Sequence, residues 1–341
     1  MTALYITSPQ AGAGKTLLCA GLGRQLRRDG KKVGFFKPMV ADIKTMAKKS
    51  ADSDTAFLKR ILALKESLES LCPVITGQGK LAAKVKQAYA KVSPGKDVVL
   101  VEGVWRQRPG AKPIETSYEI VEALKAKVII VEGYSPEFSK AKLLGRYGDF
   151  GERLLGIVVN KVPQSRLAVV SEQLSSQGGE VNILGVLPED RLLFGLTVAE
   201  LAELVQGEII NDSRKSAELV ENFMLGALTA NPGPDYFGRK ANKAVLLKAD
   251  RPDMQLAALE TSTRCLVLSG DVPPIYAVRQ GAVDKGIPII ITKGDTTFVV
   301  NSLEQALGRA KFNQEKKLPR LAEIMKQQFD FPALYKGLGL S

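Results

Sequence analysis

TSPQAGAGKT, residues 7–16, is the stretch on which the reading of the whole chain turns. The apolar run ALYIT (3–7) leads into it, and TLLCAGLGRQLRRDG (16–30) leaves it with apolar residues at helical spacing. A glycine-rich loop between a strand and a helix is the setting that the phosphate-binding pattern G-x-x-x-x-G-K-[ST] requires. Gly14, Lys15 and Thr16 match that pattern, Gly12 lies inside the loop, and Pro9 stands at the first glycine position. Glycines let successive backbone N–H groups turn towards an anion, and the start of a helix adds partial positive charge. In such a loop the lysine reaches the β- and γ-phosphates and the hydroxyl ligates Mg²⁺. Gly12, Ala13, Gly14, Lys15, Thr16 and Leu17 are therefore expected to bind ATP with Mg²⁺. Pro9 works against tight phosphate binding, because proline fixes φ and removes one N–H donor.

Further along, KVGFFKP (32–38), VVLVEG (98–103), KVIIVEG (127–133), LLGIVVN (154–160) and VNILGVLPED (181–190) are short β-branched-rich runs, each closed by Gly, Pro or a polar turn. Buried parallel strands have this composition. Amphipathic stretches such as SYEIVEALKAK (117–127) lie between them. The alternation predicts an α/β fold, a doubly wound and mostly parallel P-loop NTPase sheet, over residues 1–210. A boundary is expected near 207–214. Beyond it, SAELVENFMLGAL (216–228) reads as a helix and NPGPDYFG (231–238) as a turn-rich loop. A second strand-helix series follows, from KAVLLKA (243–249) to IPIIITK (287–293), and predicts a smaller α/β domain over 215–315. Residues 302–328 read as helical and as closing that second domain, with a C-terminal helical tail over 316–341.

The chain of 341 residues contains no histidine. This removes Ser-His and Cys-His catalysis, an imidazole base and every His-ligated metal site. Chemistry must rest on Lys, Asp, Glu, hydroxyls, backbone amides and Mg²⁺, a set with which phosphoryl transfer manages. Lys and Arg outnumber Asp and Glu by 48 to 36, but the basic residues are dispersed and only 6% of residues are aromatic. The surplus fits a small anionic or carboxylate ligand better than a nucleic acid. No run approaches the ~18 apolar residues of a membrane span, and MTALYITSPQ lacks the basic n-region of a signal peptide. Cys19, Cys72 and Cys265 fit no metal or disulfide framework and read as reduced thiols of a cytoplasmic protein.

Several later positions bear on the loop. Lys37 ends the second strand, at the carboxyl edge where α/β sheets bind ligands. Ser50-Ala51-Asp52-Ser53-Asp54-Thr55 precedes a helical stretch, so Asp52 and Asp54 read as helix caps. Glu102 ends VVLVEG, a place for a metal ligand near Thr16. Glu132 repeats that pattern one strand later, as an alternative ligand or a solvated edge residue. Asn160 after GIVV reads as a turn former. Asp250-Arg251 and Gly270-Asp271 read as turns or ligand positions of the second domain.

Taken in order, the P-loop, the strand ending in Lys37-Pro38, the Ser-Asp step before a helix and the strand ending in Val-Glu102-Gly resemble the dethiobiotin synthetase-like family of P-loop proteins, which includes cobyrinic acid a,c-diamide synthase-type domains. The resemblance implies Lys15, Lys37 and Glu102 as the catalytic set, with Thr16, Asp54 and Glu102 around Mg²⁺. It puts Asn160 at the nucleotide base, and Pro188 and Glu189 of Leu187-Pro188-Glu189-Asp190 in a base-side loop. RCLVLSGDVPP (264–274), Gly286-Ile287-Pro288 and Asp295-Thr296 resemble a DRTGG domain over 216–311. A P-loop domain followed by a DRTGG domain is similar to the N-terminal segment of long bacterial phosphotransacetylases. The implied protein binds Mg·ATP and hydrolyses it slowly or activates a carboxylate, while the DRTGG domain senses a metabolite. The rival is a non-catalytic nucleotide sensor that controls a separate acyltransferase. A homodimer follows from the same resemblance. Acyl transfer itself is not expected, since the chain ends at Ser341 without room for a transferase domain, and glutaminase chemistry would need a histidine.

Overall fold

Leu4, Tyr5 and Ile6 are fully buried, and an apolar run shielded on both faces belongs inside a covered parallel sheet. That run is strand β1 (Thr2–Thr7). The computed structural model describes residues 1–41, 52–76, 80–103, 113–137, 148–176, 182–211, 213–226, 233–307 and 312–340. Ser50 and Ala51 thus lie outside the described residues. Helix α1 (Lys15–Arg28) follows β1, then β2 (Val33–Phe36), β3 (Met39–Ala41), helix α2 (Ser53–Ile61), β4 (Val74–Thr76), β5 (Val98–Glu102), β6 (Lys127–Gly133), β7 (Leu154–Val162) and β8 (Ile183–Pro188). Six strands form one parallel sheet in the order β2-β5-β1-β6-β7-β8. β3 and β4 pair separately.

The strand order places the loop. The chain moves outward to β2, returns beside β1 with β5, and crosses to the other side of β1 with β6. That reversal opens a crevice at the carboxyl end of β1, where doubly wound sheets bind ligands. α1 starts there without a side-chain cap: its N-cap is Gly14, in left-handed backbone at φ 108°. Leu18, Leu22 and Leu26 recur every fourth residue and are fully buried. The apolar stripe, rather than a cap, anchors the helix.

Two compact units emerge: Met1–Asp190 with Phe312–Ser341, and Arg191–Lys311. The division falls before the expected 207–214. It also corrects the expectation that residues 302–328 close the second domain. The helix Thr296–Leu307 belongs to the second unit, but Leu318–Gln328 and Phe331–Leu338 belong to the first. Packing explains this. Leu318, Leu321, Ile324 and Met325 bury one stripe of the helix. Met325 fills the space over Gly21 of α1, where a Cβ would lie 1.9 Å from the methionine sulfur. Asp330 N–H donates to the Leu184 carbonyl at 2.7 Å, and Phe329 bridges Gly185, so the segment also lines β8.

The second unit contains β9 (Leu196–Thr197), β10 (Gly207–Ile209), β11 (Leu219–Val220), β12 (Asn222–Leu225), β13 (Lys243–Lys248), β14 (Thr263–Ser269) and β15 (Ile289–Thr292). Its sheet runs β10-β15-β14-β13-β12, parallel except for β10. β9 and β11 pair antiparallel. Val245, Leu247, Leu266 and Leu268 join the core on one face, and Ala244, Leu246, Cys265 and Val267 the core on the other. Two expectations fail here. Residues 216–226 form no helix but supply β11 and β12, because pairing with β9 and β13 buries Val220 and Met224; tertiary pairing overrides local propensity. Nor is 231–238 all loop, since Gly233–Gly238 is helical. Pro234 sits in its first turn, where a missing N–H costs nothing, and Phe237 is fully buried. Residues 227–228 and 231–232 lie outside the described residues. Among the described residues no helix is long and apolar enough to cross a membrane. All three cysteines are free thiols.

Candidate functional site

The loop after β1 is held from beneath. Asn160, on β7 and 3% exposed, donates Nδ2 to the Ala13 carbonyl at 2.8 Å. Its Oδ1 accepts from the Lys161 N–H at 2.9 Å. Gly14 lies over the same amide, and a Cβ there would come within 2.2 Å of Nδ2. Gly14 is thus required twice, by contact and by a φ that L side chains avoid. Lys15 is buried at the start of α1 and donates to Ser8 Oγ at 2.9 Å. The Ser8 hydroxyl in turn donates to the Gln10 carbonyl at 2.6 Å. The lysine therefore folds back over the loop. Burial pushes its pKa down, with Glu102 opposing. Leu17 points into the core and leaves only its backbone for a ligand.

Beside the loop stands a charged cluster built from β2, α2 and β5. Glu102 pairs in register with Ile6 of β1 and is buried. The Thr16 hydroxyl donates to its two oxygens at 3.2 and 3.3 Å. Lys37 Nζ lies 3.0 Å from Glu102 Oε1, 3.0 Å from Asp52 Oδ2 and 3.4 Å from Asp54 Oδ2. Asp52, not Asp54, caps α2: it accepts from the Thr55 N–H at 3.1 Å and the Thr55 hydroxyl at 2.6 Å. The cap reading of Asp54 is thereby corrected. Asp54 faces Lys37, and its Oδ1 is buried without a hydrogen-bond partner.

The pKa shifts follow this geometry. Burial raises the Glu102 carboxyl, and Lys37 pulls back only part of that rise. Burial alone would lower Lys37, but Glu102, Asp54 and Asp52 outweigh it and hold the ammonium above the ordinary lysine range. Burial alone would raise Asp52, but Lys37 and the Thr55 hydrogen bonds hold it below the ordinary aspartate value. Lys15 and Lys37 against Asp52, Asp54 and Glu102 leave a formal charge of two minus three, or −1.

Two predicted residues lie at the end of β8, beside the end of β7 that carries Asn160. Pro188 pairs with Val162 of β7, and the Glu189 N–H donates to the Val162 carbonyl at 2.7 Å. That sets the loop after β8 next to Lys161, which adopts φ 63°. Glu132 is the penultimate residue of β6, across β1 from β5, and stands apart from the elements that build the Lys37 cluster. The sequence reading missed Ser8 as the partner of Lys15; its signal was a hydroxyl one residue beyond β1. Thr16, Asp54 and Glu102 offer hard oxygen donors of the kind Mg²⁺ takes, and the unpartnered Asp54 Oδ1 fits that use. Among the described residues no group of three Asp, Glu or Cys side chains is arranged to hold a metal by itself; Lys37 stands between Asp52, Asp54 and Glu102.

A family model described as AAA domain matches residues 2–195, and one described as DRTGG domain matches residues 200–306. The phosphate acetyltransferase of Nitrosomonas europaea is 24% identical over 343 residues, covering 92% of this chain and 48% of that protein. The ATP-dependent dethiobiotin synthetase BioD of Caldicellulosiruptor saccharolyticus is 27% identical over 187 residues, covering 47% of this chain and 74% of that protein. The MinD cell division protein of Aquifex aeolicus, a solved structure, aligns at 19% identity and TM-score 0.34 over 57% of this chain and 84% of that one. The chain spans about half the length of the curated acetyltransferases it matches.

Proposed function

The chain belongs to the AAA domain family and carries a DRTGG domain behind that domain, and from this premise we propose that it binds ATP with Mg²⁺ and transfers the terminal phosphoryl group slowly to water or to a carboxylate. The observation that carries the reading is the convergence of Lys15, Thr16, Lys37 and Glu102 on one glycine-rich loop at the carboxyl end of the central strand. The similarity to an ATP-dependent synthetase over the first unit supports it.

The loop amides and the amino end of α1 would receive the phosphates. Lys15, freed from Ser8, would follow the β- and γ-phosphates, and Lys37 would meet the terminal phosphate or the acceptor carboxylate. Asn160 serves the nucleotide by holding Ala13, and Pro188 and Glu189 border the base. The formal −1 of the side-chain cluster cannot by itself hold a triphosphate. Mg²⁺ on Thr16, Asp54 and Glu102 would supply the neutralising charge that phosphoryl transfer needs. Phosphoryl transfer asks the protein for position and charge, not for a histidine base.

Pro9 favours a second reading, a nucleotide sensor without useful turnover. A loop that lacks one amide stabilises developing phosphate charge less well. In either reading the DRTGG domain would sense a metabolite, and a separate acyltransferase or a second copy would be the partner.

Calorimetric titration with Mg·ATP tests the reading, with phosphate release measured alongside in the presence of small carboxylic acids. Single-site binding that is lost in Lys15→Ala is the expected result. Turnover that rises with one acid class selects the synthetase form. Absence of binding in the wild type contradicts both forms.

A further inference from the structure

We propose that the Lys37 ammonium and a divalent cation compete for the same carboxylates, so that metal binding is gated by the anion that draws Lys37 away. This rests on the nucleotide reading above and adds an order of events to it.

Four observations carry the proposal. Lys37 Nζ stands within 3.0–3.4 Å of Asp52, Asp54 and Glu102, and it touches the same Glu102 to which Thr16 donates. Two of those three carboxylates, with Thr16, are the hard donors a metal would need. Lys37 takes one oxygen of each carboxylate, and a metal on the remaining ones would stand beside its ammonium in a dry place. Glu102 is 4% and Lys37 12% exposed, so water and salt screen their repulsion poorly. Next, the cluster is not saturated: Asp54 Oδ1 is buried without a hydrogen-bond partner, so Lys37 fills the seat only in part. Finally, Lys37 can move without moving its strand. Its backbone N–H is pinned to the Leu71 carbonyl at 2.7 Å, and its side chain has four rotatable bonds through which the ammonium can be re-aimed.

A buried ammonium does not leave its carboxylates for nothing, because an unpaired buried charge is costly. It needs another anion within reach. A terminal phosphate in the 8–16 loop is that anion, on the side of the cluster where Thr16 and Lys15 stand. Lys37 then bonds the phosphate, and Glu102 and Asp54 are released to the metal. Linkage makes the effect reciprocal: the factor by which nucleotide tightens metal is the factor by which metal tightens nucleotide.

The test uses Mn²⁺ as a spectroscopic probe, counted by the paramagnetic resonance of the free ion. The full chain is titrated with and without a non-hydrolysable ATP analogue. Wild-type protein is expected to bind Mn²⁺ at least about tenfold tighter with the analogue, within the usual span of coupling. Lys37→Met is expected to bind Mn²⁺ without the analogue and to lose most of that coupling. Lys37→Arg, which keeps the charge but not the shape, is expected to hold Mn²⁺ affinity without the analogue low. Asp52→Asn covers the case in which Lys37→Met does not fold. It loosens one anchor of Lys37, keeps a good helix cap and spares Thr16, Asp54 and Glu102. Its Mn²⁺ affinity without analogue should rise several-fold. Full coupling retained in Lys37→Met or, should that variant not fold, in Asp52→Asn overturns the proposal, as does wild-type Mn²⁺ binding that ignores the analogue. In the second case analogue binding by itself leaves the nucleotide reading standing. If neither Mn²⁺ nor analogue binds, both fall.

Discussion

Gly14 and Asn160 form a matched pair, and each constrains the other. The Asn160 amide occupies the place of a Gly14 side chain and ties the Ala13 carbonyl. Replacing Asn160 by Ala leaves that carbonyl without its partner in a buried place, a loss of about 1–3 kcal/mol. Chemical denaturation should show that loss, and Mg·ATP affinity should fall with it, because the loop amides lose their orientation. Asn160→Asp should do worse than Asn160→Ala, since a carboxylate has no N–H to donate to the Ala13 carbonyl and sets a negative oxygen against it. Another residue-scale prediction concerns Lys243, which is fully buried on β13 and donates to Thr261 Oγ1 and the Ser262 carbonyl. Burial lowers its pKa from 10.5 to about 8. Between those values the unfolded chain holds a proton that the folded chain has lost, so stability rises with pH across that window. The thermal midpoint of wild type should climb from pH 8 to 10 relative to Lys243→Met, and a flat difference would contradict the assignment. The meeting of Lys15, Thr16, Lys37 and Glu102 at one sheet edge was legible in the sequence because the first two open a helix after a strand and the last two stand where strands end. The hold of Asn160 on Ala13 was not, because a hydrogen bond across 147 positions leaves no local pattern.

At the level of elements, α1 is gripped from two sides: its leucine stripe enters the first core, and Gly21 receives Met325 from the helix Leu318–Gln328. Met325 is 2% exposed, so Met325→Ala should cost about 2–5 kcal/mol. Urea unfolding should show a lower midpoint for the first unit while the Mg·ATP stoichiometry stays at one. That grip also explains which elements could be read in advance. The buried strands announced themselves by β-branched runs with turns behind them, as did the alternation that orders them. The C-terminal helices announced their amphipathic stripe but not its destination, since an apolar face does not say which core it enters. Residues 216–226 carried a helix-like pattern and became β11 and β12 because edge pairing in the second sheet outweighed a weak local preference.

Across the whole molecule, two separately cored units divide the chain, one built around the loop and one around a mostly parallel sheet with its own apolar faces. Ligand bound to the first unit should stabilise that unit by mass action, about 2.7 kcal/mol at a hundredfold excess over Kd. Hydrogen exchange of the full chain with Mg·ATP should slow at residues 8–17 and 98–103 and stay unchanged along β13 and β14. The measurement that bears most directly on the account is a crystal structure with Mg²⁺ and a non-hydrolysable ATP analogue. The account predicts phosphates in the 8–16 loop, the metal on Thr16, Asp54 and Glu102, and Lys37 turned from its carboxylates to the terminal phosphate. An analogue bound elsewhere, or Lys37 still seated between Asp52 and Glu102 with the nucleotide in place, would contradict it.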